Sequence, residues 1–105
     1  MKRDLDQKMY DLDGKEFGDK ATLKVLCFGA IATPIQGDDQ IPMDKKLKQY
    51  VLLQKIHAGG EVDLTAEDIA LIKERGAKHF SIIAFGRMVD MLEGEPLKAV
   101  KPDAA

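Results

Sequence analysis

Four runs of apolar residues at helical spacing, punctuated by Pro34, Pro42, Gly59-Gly60 and Gly94, restrict this chain to a small helical domain. In the first run Leu23, Leu26, Cys27, Ala30 and Ile31 fall at i, i+3, i+4, i+7 and i+8, the stripe of a buried helix face. Thr22 can cap it, and Pro34 ends it because the residue before a proline is pushed out of helical geometry. Val25, Phe28 and Ala32 add apolar side chains on the other side, and Lys24 is the single charge. This helix is therefore expected at the centre.

The stretch 35–41, with Gly37, Asp38 and Asp39, reads as a loop. Pro42 suits the first turn of a second helix, where its missing N–H is not needed. Met43, Leu47, Tyr50, Val51 and Gln54 share one face of it, widened by Leu52, Leu53 and Ile56, while Lys45, Lys46, Lys48 and Lys55 stay outside. Gly59-Gly60 stops it. The third helix has the clearest start: Thr65 caps, Asp68 bonds back from three residues on, and Leu64 staples onto Ile69. Ile69, Ile72, Gly76 and Phe80 line its inner side, with Gly76 marking either a close helix crossing or the helix end. Ser81 can cap a fourth helix through Ile82, Phe85, Val89 and Leu92, closed by Gly94 and Pro96. Ile83, Ala84, Met88 and Met91 make that helix apolar over more than one stripe.

Residues 1–20 are finely mixed, five basic side chains against six acidic. Asp13-Gly14 is the best turn signal in the chain. Counting outward places Leu12 opposite Lys15, Asp11 opposite Glu16 and Tyr10 opposite Phe17, so a short hairpin or a structured loop is expected. The fold class is thus mainly α: about four helices with a short N-terminal β-hairpin or loop. Residues 1–94 form one domain with 1–20 as an arm, and 95–105 a tail without periodicity. A chain of 105 residues holds one core. With 45% hydrophobic and 32% charged residues it is far from the disordered signature. A net charge of -2 gives no overall pull toward nucleic acid or acidic membranes. The charged start, the single cysteine and the absence of a long apolar run lead us to expect no signal peptide, no membrane span and a cytoplasmic location.

Chemistry finds little support in the residues. His57, His79 and Cys27 lack the paired spacing of a zinc site. Asp11-Leu12-Asp13-Gly14 superficially follows a calcium loop, but with Gly14 sixth the first and twelfth positions are Met9 and Lys20, where carboxylates belong. No glycine falls into a phosphate-binding pattern. Ser81, the one serine, is explained as a cap, and Cys27 lies in an apolar stripe where desolvation makes a thiol inert. We therefore expect no enzyme, no cofactor, no metal and no small-molecule substrate. For nucleic acid, Lys45, Lys48 and Lys55 fall broadly along one helix face. Against it, the second helix has no arginine and no aromatic is expected at the surface. A helix-turn-helix reading of 66–93 offers only Arg87 against Asp90 and Glu93. What remains is surface for proteins. Phe28, Ile83, Met88 and Met91 exceed what one packed face needs, and they are the candidate contact residues, for self-association or a larger partner.

The order of features is also similar to that of small proteins encoded in bacteriophages and prophages, most without an assigned role. The resemblance lies in Leu12-Asp13-Gly14-Lys15, the Thr22-Leu23-Lys24 helix start, the run from Lys46 to Ile56, the run from Val62 to Arg75, and the closing Met91-Leu92-Glu93-Gly94. It implies a non-enzymatic accessory protein working by contact in a bacterial host, such as a virion or tail-assembly factor or chaperone. A small regulator or inhibitor of a host protein is the alternative. No functional residue is carried over by it.

Overall fold

The computed structural model describes residues 2–16 and 21–93. Their order is β1 (Lys2–Asp4), α1 (Leu23–Ala32), α2 (Met43–Ala58), β2 (Glu61–Asp63), α3 (Ala66–His79) and α4 (Ile82–Glu93), with one 3-10 turn at Asp38–Gln40 between α1 and α2. The fold is the expected mainly-α bundle. Expectations that fall on Phe17, Gly94, Pro96 and the tail lie outside the described residues.

Helix ends sit where short polar side chains can serve the free backbone groups. The Thr22 hydroxyl accepts from the Val25 amide at 3.3 Å, and Ser81 from Ala84 at 3.3 Å. Thr65 and Asp68 form the reciprocal capping box, each side chain accepting the other's amide at 3.0 Å. Pro42 stands one residue before α2 rather than inside its first turn. At the other end Gly59 and Gly60 adopt φ of 71° and 69°, the left-handed region open to glycine, and turn the chain into β2.

As expected, α1 is the hub, packing on α2, α3 and α4 through Leu23, Cys27, Ala30 and Ile31. α3 continues past Gly76 to His79, so the glycine marks a crossing. A Cβ placed there would lie 2.7 Å from Met88 Cε on α4, with Phe80 and Phe85 close behind.

The N-terminal arm is more firmly built in than its charges suggest. Leu5 and Met9 are fully buried. The amide of Leu5 donates to Gly60 O at 2.8 Å, and Lys24 and Leu23 donate to Leu5 O and Gln7 O at 2.7 and 2.9 Å. β1 pairs antiparallel with β2, distant in sequence, with Arg3 opposite Val62. Arg3 also donates to Leu92 O at 2.6 Å, satisfying the end of α4. The turn at Asp13-Gly14 is present with a different register. Tyr10 bridges to Glu16, and the Asp11 amide donates to Lys15 O at 2.8 Å, leaving a three-residue loop. The Asp11 carboxylate causes this, accepting from Asp13 and Lys15 amides at 2.8 and 3.0 Å, while Gly14 takes φ of 82°.

One buried cation was not anticipated. Arg75 on α3 is 4% exposed. It donates to Ala30 O and Thr33 O at 2.9 Å each, and its fork meets both Asp38 oxygens at 2.8 and 3.0 Å. It thereby ties α3 to the end of α1 and to the α1–α2 loop. Those hydrogen bonds from Arg75, with a further one from the Ile35 amide, hold the Asp38 carboxyl at about 2. Asp38 is ionised at neutral pH and fully engaged, which makes the cluster a clamp rather than an acid–base site. No helix among the described residues is long and apolar enough to cross a membrane.

Candidate protein-contact surfaces

A strongly apolar hollow lies along the first two turns of α4. It measures about 730 Å³, and its walls are Leu12, Ile82, Ile83, Phe85 and Val89, with Gly86 among them. Ile82 is 90% exposed and Leu12 75%. Leu12 is held over α4 by Arg87, whose Nε donates to Tyr10 O at 2.8 Å in the base of the turn. Gly86 lies mid-helix, yet a Cβ there would meet nothing within 4 Å. It therefore forgoes about 1 kcal/mol of helix propensity without serving a close contact among the described residues. The charges at the rim are paired among themselves: Lys73 with Glu93, and Arg87 with Asp90 at 3.7 Å. Such a surface can bury apolar groups. Among the described residues that line it, the charged ones, Lys73, Arg87 and Asp90, all stand in ion pairs.

The four contact candidates from the sequence separate. Ile83 lines this hollow. Met88, by contrast, is fully buried and is withdrawn as a contact residue. Its flexible side chain fills the space that Gly76 leaves at the α3–α4 crossing, the inward use of methionine's adaptability. Met91 is half-buried against the core, and Phe28 is exposed on α1, its ring 6.1 Å from that of His57 on α2. Phe28 and Ile83 belong to different surfaces.

The face of α2 expected to turn inward turns outward. Leu52 and Ile56 are its buried residues, whereas Met43, Leu47, Tyr50 and Val51 are exposed. At about 100° per residue, Met43, Leu47, Tyr50 and Gln54 cluster within roughly 60°, and Leu52 and Ile56 lie roughly 170° away. α2 therefore carries two apolar stripes, and periodicity alone does not say which one meets α1. Its lysines interleave with carboxylates. Lys55 pairs with Asp68 at 2.9 Å. Lys48 lines a hollow with Glu67 and Asp68, and Lys45 one with Glu74 and Asp38. An exposed aromatic on α2 that the sequence reading did not expect is Tyr50, 58% exposed.

Cys27 is fully enclosed, and burial pushes its thiol up to about 12. The ring of His57 stands 6.1 Å from that of Phe28, and the ring of His79 4.7 Å from that of Phe80. Among the described residues no three histidine, cysteine or carboxylate side chains gather as metal ligands. No family model, curated protein or solved structure matches the chain.

Proposed function

We propose that this protein acts by protein–protein contact rather than by catalysis, and that the α4 hollow takes a second copy of the chain. The observation that carries the reading is Gly86: a helix-weakening residue in open space, beside the protruding Ile82 and Leu12. Knob and notch on one patch are what a two-fold interface requires, since each copy offers both. The internally neutralised rim removes the like-charge penalty of facing a copy of itself. Taken with the resemblance to small phage-encoded proteins, the chain reads as an accessory factor of virion or tail assembly, or a chaperone for it.

Sedimentation equilibrium across low to high micromolar concentrations tests this. The wild-type mass should rise toward a dimer, and Ile82→Glu should stay monomeric with unchanged helix content, because Ile82 is 90% exposed. A wild-type monomer throughout, or an Ile82→Glu dimer, overturns the reading.

A further inference from the structure

We infer that Arg87 is the positioning residue of the α4 interface. It fixes the turn of the N-terminal arm so that Leu12 stands as a finished wall of the hollow before a second copy arrives. The inference rests on the reading that this hollow takes a second copy, and it names the part of the chain that prepares it.

Leu12 has no local reason to be a leucine. It is the second residue of the turn from Asp11 to Gly14, closed by the Gly14 amide donating to Asp11 O at 3.1 Å. That position accepts most residue types. The shape of the turn comes from other groups, the Asp11 carboxylate and Gly14 at φ of 82°. Yet an aliphatic side chain 75% exposed stands there, lining one hollow with Ile82, Ile83 and Val89 of α4. A side chain that neither shapes its turn nor enters the core gains by burial only against something outside the subunit.

The turn has two holds on the body of the protein, one at each side. Residues 10–16 first hold one another, through the Tyr10–Glu16 bridge and the Asp11 carboxylate. This unit is anchored to the core next to Met9, which is fully buried and whose amide donates to Ala21 O at 3.0 Å. On the other side α4 reaches it through Arg87, whose Nε donates to Tyr10 O at 2.8 Å across 77 residues of sequence. Asp90, three residues further along α4 and 3.7 Å away, orients the same guanidinium. Arg87 thus bridges a carboxylate on the helix and a carbonyl two residues from Leu12. Held at Met9 alone, the turn would pivot there and carry Leu12 off α4. Ordering such a segment during association subtracts from affinity, and a two-fold dimer contains the turn twice.

The test uses the full chain. Sedimentation equilibrium compares wild type, Leu12→Ala, Arg87→Met and the double variant in about 0.5 M salt, which screens the charge left on Asp90. Leu12→Ala should raise the dimer Kd about tenfold or more, and Arg87→Met should raise it severalfold. The double variant should be no weaker than Leu12→Ala alone, because Arg87 acts through Leu12. A second readout does not depend on association. In the Ile82→Glu background, Arg87→Met should lower the NMR order parameter of the Leu12 amide from about 0.85 to below about 0.6, with α4 unchanged. Three results overturn the inference while leaving the α4 dimer standing: a Leu12→Ala dimer as tight as wild type, additive losses in the double variant, or a Leu12 amide equally ordered with and without Arg87. A wild type that stays monomeric overturns the reading of the hollow and this inference with it.

Discussion

Replacing Gly86 with alanine should stabilise the isolated subunit while weakening its association. Gly86 is the fifth of twelve residues in α4, and its added methyl would meet nothing within 4 Å. The substitution therefore gains the propensity difference, about 1 kcal/mol, with no steric cost. For a domain of this size that corresponds to a rise in Tm of about 4–5 °C. Gly76→Ala gains the same propensity but brings its methyl 2.7 Å from Met88 Cε, beside Phe80 and Phe85. The atom it meets is the far end of Met88's flexible side chain, which must shift inside the core. That shift offsets part of the propensity gain, so Gly76→Ala should stabilise less than Gly86→Ala. Guanidinium unfolding in the Ile82→Glu background isolates the subunit from any association. In wild type, the methyl at Gly86 should also raise the dimer dissociation constant severalfold by filling the notch. Equal stabilisation by both alanines would refute the assignment of Gly76 to the crossing, and a destabilising Gly86→Ala would refute the open notch.

Three further outcomes follow from the buried groups. Arg75→Met removes four hydrogen bonds and leaves two carbonyls without their donor, costing about 2–4 kcal/mol by denaturant unfolding; a loss within 0.5 would contradict the clamp. The Asp38 carboxyl sits at about 2 when folded, below its ordinary value of about 3.9. Its stabilisation is therefore complete above about pH 4 and disappears as pH falls through 2. Asp38→Asn should remove that acid-side slope from the stability–pH profile, and an identical slope in the variant would refute the pairing. Cys27, with its thiol raised to about 12 by burial, should react with a thiol reagent only as fast as the chain opens, and prompt reaction of native protein would contradict its enclosure.

Much of the architecture followed from local rules. The Thr65–Asp68 box, the Thr22 and Ser81 caps and the Gly59-Gly60 stop act within a turn of the residues concerned, so sequence reads them directly. What escaped depends on partners far along the chain. Arg75 sits in a polar run, Lys73-Glu74-Arg75, and looks solvated. Its place three residues after Ile72, on the inner stripe, was the available signal, but the acceptors lie 37 to 45 residues away. Leu5 and Met9 are buried only because β1 finds β2 and the arm bonds to α1. On α2 two apolar stripes compete, and the contact with α1 selected Leu52 and Ile56. That choice left Tyr50 outside, so the α2 face could not have been located from periodicity. On α4 the surplus of apolar residues was readable, and Ile83 is 43% exposed. Which methionine filled the Gly76 crossing was not readable.

An NMR dilution series on the wild-type chain tests the central claim most directly, because it locates association residue by residue. The account predicts concentration-dependent shifts centred on Leu12, Ile82, Gly86 and Val89, with Met43, Leu47 and Tyr50 stationary. Shifts centred on Tyr50 upon concentration, or none along α4, would contradict it.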